Sequence, residues 1–217
     1  MSGAVGFDLD MTLIDSRPGI AAAFRELSAR TGVFVDADLA VTRLGPPLRA
    51  ELAEWFPAAD VEKMVLTYRS LYPDYAIAPT VPMPGAVEAL AAVRELGLRV
   101  VVVTSKLGRL AELHLAHLGM IADAVEGDLF AEGKAAALVQ HGVRWYVGDH
   151  VGDMVAARTA GVPGIGVATG PCHPDELRAA GASYVLGDLT GLPALLRGIT
   201  VGSGRDSSIA CTGSSIE

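Results

Sequence analysis

The chain is poor in cysteine, in aromatic side chains and in charge. Only Cys172 and Cys211 occur among 217 residues, so no disulfide framework is available and packing must hold the fold. Charged residues make up 19% against 51% hydrophobic ones, a balance that excludes a disordered chain. Basic residues are also scarce. Seventeen Lys and Arg stand against twenty-five Asp and Glu, a formal net charge of -8. That balance speaks against a nucleic-acid partner and suits a protein that binds a cation. No apolar run is long enough to span a bilayer, and no basic leader precedes the first one. No membrane partner is therefore expected, and the expected location is cytoplasmic. The length allows one domain with a sizeable core, or one domain carrying an insertion.

Short runs rich in β-branched residues are present. They lie at 4–7 (AVGF), 98–103 (LRVVVV), 144–147 (RWYV) and 164–168 (GIGVA), with weaker ones at 123–127 and 183–186. Glycine or a polar residue bounds each, as in buried parallel strands. Helical patterns fall between them at 85–96, 107–118, 133–141, 153–160 and 175–180. This alternation predicts an α/β fold, a Rossmann-like parallel sheet with helices on both faces. Residues 16–82 break the alternation and read as helices only, at 17–31, around 46–55 and 60–72, closing on the proline-rich IAPTVPMPG. They are expected to form an inserted all-α cap, with 1–15 and 83–200 as the α/β core. The Gly/Ser-rich stretch 201–217 is expected to be a disordered tail or a cloning remnant.

Ligands of an open parallel sheet bind beyond the carboxyl ends of its strands. Asp8 and Asp10 follow the first run, Thr104, Ser105 and Lys106 follow LRVVVV, and Gly148, Asp149 and Asp153 follow RWYV. Capping accounts for an aspartate or a threonine after a strand taken singly. It does not require a second aspartate two residues on, so acidic, hydroxyl and basic groups converging on one edge point to chemistry.

Asp8-Leu9-Asp10-Met11-Thr12, Thr104 after a hydrophobic strand, Lys134 before a helix, and Gly148-Asp149-x-x-x-Asp153 resemble the four motifs of the haloacid dehalogenase superfamily, in order. LGPPL at 44–48, PMPGAVEAL at 82–90 and RAAGASYVLGDL at 178–189 resemble its phosphoglycolate-phosphatase-like branch, which carries a helical cap. The chain departs from the pattern at Met11, where the family usually has Gly, and after Lys134, where it usually has Pro.

The resemblance implies a phosphatase that hydrolyses a small phosphorylated metabolite. Asp8 would be the nucleophile that becomes an aspartyl-phosphate, and Asp10 the proton donor and acceptor. Lys134 would neutralise charge, with Lys106 as the competing lysine. Mg2+ would be held by Asp8, the backbone carbonyl of Asp10, Asp149 and Asp153. Thr104 and the backbone N–H groups around Met11 and Ser105 would bind the phosphate. In the cap, Arg43, together with Arg49, is a candidate to meet an anionic substrate tail, a solvated helix face being the equal reading for Arg49. A monomer or homodimer is expected. Asp15 reads as the N-cap region of the leading cap helix. His114, His117 and His150 receive no catalytic role. A phosphomutase of the β-phosphoglucomutase type, a receiver-like phospho-acceptor and a catalytically silent binding protein are the other readings.

Overall fold

The computed structural model describes residues 3–202; of the expected tail, 203–217 lie outside the described residues. Six strands form one sheet in the order β5-β4-β1-β6-β7-β8, and every pairing in it is parallel. They are β1 (Ala4–Phe7), β4 (Arg99–Val103), β5 (Ala124–Glu126), β6 (Val143–Gly148), β7 (Gly164–Val167) and β8 (Ala182–Leu186). All six runs singled out in the sequence are strands of this sheet.

Side chains alternate across a strand, and here both faces are apolar. Val5, Phe7, Val100, Val102, Trp145 and Val147 point to one face. There they meet α5 (Ala86–Glu95), α6 (Gly108–His117) and α10 (Leu192–Gly202). Ala4, Val101, Val103 and Tyr146 point to the other, against α7 (Glu132–Gln140) and α8 (Val151–Ala160). Continuous rather than alternating hydrophobicity follows from burial on both faces. Helix α9 (Pro174–Ala179) precedes β8.

The helical stretch comprises α1 (Arg17–Thr31), α2 (Ala37–Ala40), α3 (Leu48–Ala53) and α4 (Val61–Tyr75). It has its own apolar cluster, built on Phe24, Leu27, Leu52, Tyr68 and Tyr72, to which the sheet-bearing part contributes Leu110. Gly32, left-handed at φ 70°, ends α1, in keeping with its role as a C-terminal signal. Helix α4 outruns its sequence boundary, because Pro73 falls in the last turn.

Four elements escaped the sequence reading. The two-residue strands β2 (Ile14–Asp15) and β3 (Val81–Pro82) pair antiparallel and tie the entrance of the helical stretch to its exit. Helix α2 is a single turn capped by Asp36, whose side chain accepts from Leu39 N–H. Helix α10 reaches into the expected tail as far as Gly202; its i, i+4 pair Leu192 and Leu196 is buried on the sheet. No helix among the described residues is long and apolar enough to cross a membrane.

Candidate active site

Strands β4, β1 and β6 are adjacent at the centre of the sheet, where the strand order reverses direction. Their carboxyl ends deliver Thr104, Asp8 and Asp149, all buried. The backbone N–H of Asp8 donates to Val147 O at 2.8 Å, which continues the ladder past β1 and fixes where the carboxylate emerges.

Asp8, Asp149 and Asp153 each offer a carboxylate oxygen, and these oxygens lie within 4.8 Å of one another. Lys134, on α7, reaches both Asp8 Oδ1 at 2.8 Å and Asp153 Oδ1 at 2.7 Å. Lys106 instead approaches Asp10 Oδ1 at 3.1 Å, so Lys134 is the lysine beside Asp8. Asp153 also accepts from Tyr146 OH at 3.2 Å and from His150 N–H at 3.2 Å. Asp149 accepts from Thr12 Oγ1 at 2.8 Å. Two glycines give the carboxylates room: a Cβ at Gly170 would lie 1.7 Å from Asp149 Oδ2, and one at Gly148 would lie 2.4 Å from Asp153 Oδ2.

The charge balance of this cluster is unfavourable on its own. Burial raises Asp8 from its ordinary 3.8 to about 7, although Lys134 pulls in the opposite direction. Burial also lifts Asp149 well above the usual carboxylate range, with the Asp8 charge adding to it. Lys134 resists its own desolvation because Asp153 and Asp8 hold its proton, which leaves it above its ordinary value. Three buried carboxylates facing one ammonium lack positive charge. An all-oxygen donor set of this kind fits a hard divalent cation such as Mg2+.

Asp10 stands apart from the three carboxylates. Its Oδ1 accepts a short hydrogen bond from Ser16 Oγ and also faces the Lys106 ammonium. Lys106 Nζ donates to Tyr72 OH at 2.6 Å, and His114 Nε2 lies 3.1 Å from the same hydroxyl. Burial first, and Lys106 second, lower His114 to about 4, so its ring is neutral at physiological pH. His117 is exposed. His150 begins α8, its Nδ1 accepting from Gly152 N–H at 3.0 Å, and burial lowers its pKa.

Two expectations change, those for Met11 and Arg43. Met11 adopts φ 62°, the left-handed conformation for which Gly is the usual choice, and its side chain is buried in the main core. Its backbone N–H donates to Ile14 O at 2.8 Å, so that group is occupied and does not face a phosphate. Arg43 forks onto Glu51, at 3.0 Å from Nε and 2.6 Å from Nη2, and is not a free anion receptor. Arg49 pairs with Glu62 on an exposed face. The expected N-cap segment stands: Asp15 takes the N–H and guanidinium of Arg17, and Ser16 holds the N-cap position and turns its hydroxyl to Asp10.

Thr104 Oγ1 accepts from Lys106 N–H at 3.2 Å, which leaves its own proton to donate. Ser105 Oγ donates to Gly45 O at 3.0 Å across to the helical stretch, so its hydroxyl is committed there. Thr12, Ser16, Tyr72 and Tyr146 were assigned no part in the sequence reading. Thr12 alone carried a signal, its place in the first motif; the others arrive from separate elements.

Comparison with known proteins agrees with this geometry. The family model described as haloacid dehalogenase-like hydrolase matches residues 5–158. A phosphoglycolate phosphatase of Caulobacter vibrioides is 32% identical over 89% of this chain and 90% of its own length. A plasmid-encoded phosphoglycolate phosphatase of Cupriavidus necator is 33% identical, over 89% and 92%. Among solved structures, a haloacid dehalogenase-like family hydrolase from Streptococcus pneumoniae superposes with a TM-score of 0.78 at 24% identity, over 92% of this chain and 98% of that one, a likeness of fold. The order of the motifs, the arrangement of Asp8, Asp149 and Asp153 at the centre of a parallel sheet, and the extent of these matches agree: the chain belongs to the haloacid dehalogenase-like hydrolase family.

Proposed function

We propose that this hydrolase is a Mg2+-dependent phosphatase that cleaves small phosphomonoesters through a phosphorylated Asp8. The observation that carries this reading is Lys134 bridging Asp8 and Asp153, with Asp149 alongside. This is a nucleophile, its charge partner and a hard-cation donor set in one buried place. The names of the relatives support the same reaction class.

In the first step a carboxylate oxygen of Asp8 attacks phosphorus and the bond to the alcohol oxygen breaks. Asp10, entering this step as the neutral acid, gives that oxygen its proton, and Ser16 and Lys106 hold the resulting carboxylate in place. In the second step Asp10 takes a proton from the attacking water and the bond between Asp8 and phosphorus breaks. Asp8, Asp149 and Asp153 would hold Mg2+, together with the carbonyl of Asp10; the ion supplies positive charge for the phosphoryl oxygens. Thr104 Oγ1 donates to a phosphate oxygen, and Ser105 offers its backbone N–H. Residues 16–82 act as a cap over the site, hinged at the β2–β3 ribbon.

The test is phosphate release from p-nitrophenyl phosphate and a metabolite panel, in Mg2+ and in EDTA, for the wild type and Asp8→Asn. Metal-dependent release that falls by roughly a thousandfold in the variant is expected. Equal rates for the two proteins would remove Asp8 from the mechanism.

A further inference from the structure

A cavity of about 370 Å3 lies between the helical stretch and the sheet-bearing part, with Asp10 and Ser105 among its walls. Asp8 does not line it. The cavity therefore opens on the side of the proton donor, where the departing alcohol must sit if Asp10 protonates it. Its walls include Ile20, Phe24, Leu48, Leu107 and Leu110. The volume is that of a site for a ring-bearing molecule, and a two-carbon glycolate would leave most of it empty.

The charges around it are already matched. Each cation in the lining has a carboxylate: Arg43 holds Glu51, Arg69 holds Asp128, and Lys106 faces Asp10. Glu54 adds a further acid to the lining, and no cation is paired with it among the described residues. A second anionic group on the substrate would have to share one of these cations with the carboxylate it already holds, and approach Glu54. Carboxylate recognition ordinarily uses an arginine with its fork free, and the fork of Arg43 is taken.

We propose that this cavity receives the uncharged, largely apolar alcohol half of a phosphomonoester, ring-bearing or of comparable bulk, and that it discriminates against a second anion. This inference rests on the phosphatase reading above and departs from the phosphoglycolate in the relatives' names.

Three alkyl phosphates separate the contributions, because none has an activated leaving group. Ethyl phosphate and phosphoglycolate differ by the carboxylate; ethyl and 2-phenylethyl phosphate differ by apolar bulk. The inference expects kcat/KM to rise about 10- to 100-fold from ethyl to 2-phenylethyl phosphate, the worth of burying one aromatic side chain. Phosphoglycolate should fall below ethyl phosphate. In Glu51→Gln, which deprives Arg43 of its counterion, the ratio of phosphoglycolate to ethyl phosphate should climb about 5-fold or more. If phosphoglycolate matches or exceeds 2-phenylethyl phosphate in the wild type, the inference is overturned while the phosphatase reading stands. If none of the three esters nor p-nitrophenyl phosphate releases phosphate in Mg2+, the phosphatase reading fails and the inference falls with it.

Discussion

Asp8→Asn should make the metal-free protein more stable even as it removes the nucleophile. The folded site raises the Asp8 carboxyl from 3.8 to about 7, chiefly by burial. Between those values the folded state binds more protons at this position than the unfolded one. Stability therefore declines as pH rises from about 4 to about 7, and the full penalty stands above that range. A shift of this size corresponds to about 4 kcal/mol. Asparagine resembles the protonated acid in shape and carries no charge, so it escapes the penalty, and Lys134 keeps Asp153 as a partner. Relief of Asp149, which the Asp8 charge also pushes up, adds to the gain. Urea unfolding in EDTA followed by circular dichroism would measure it. The variant should exceed the wild type by about 2–4 kcal/mol at pH 8, and the advantage should shrink towards zero near pH 4. Saturating Mg2+ should narrow or invert the difference, since a ligand at a hundred times its Kd adds about 2.7 kcal/mol to the form that binds it. A variant less stable than wild type in EDTA at pH 8, or an advantage independent of pH, would refute the electrostatic account of this site.

Other substitutions test separate contacts. Lys134→Met takes from three buried carboxylates the ammonium that bridges two of them, and unfolding at pH 8 in EDTA should show a loss of about 3–5 kcal/mol that lessens at pH 5. Tyr72→Phe removes the hydroxyl between half-buried Lys106 and buried His114; a loss of about 1–3 kcal/mol is expected by urea titration. Ser16→Ala takes a donor from the Asp10 carboxylate without touching Asp8, so kcat should fall roughly tenfold with KM little changed; an unchanged kcat would leave Ser16 structural. Gly170→Ala forces a methyl group onto Asp149, and calorimetric titration should show Mg2+ binding weakened by about tenfold or more.

The six strands, their parallel arrangement and the helical interruption were legible because each is written locally. Strands buried on both faces need continuous apolar runs, and 98–103 and 144–147 have them. Asp8, Asp10 and Asp149 were legible for a related reason: each stands just past such a run, and the strand carries it to the ligand-binding edge, while Asp153 follows Asp149 in the first turn of α8. Helix α10 escaped the reading although Leu192 and Leu196 keep helical spacing, because Gly191 and Pro193 obscured it.

What the tertiary structure alone decided is which of these groups meet. Sequence could not choose between Lys106 and Lys134, because the choice depends on α7 crossing beneath β1 while the loop after β4 turns towards the helical stretch. The β2–β3 ribbon depends on a pairing nearly seventy residues apart that two-residue strands cannot announce. Arg43 is a candidate anion receptor in the chain and an occupied one in the fold, because Glu51, eight residues on in α3, reaches back to it. Met11 shows the same division from the other side. The first motif sets a tight left-handed turn at this position, and only the packed core reveals that a methionine can take it by burying its side chain beneath the site. Local sequence specifies where a side chain leaves the backbone; the company it keeps is set by long-range packing, which no window of sequence contains.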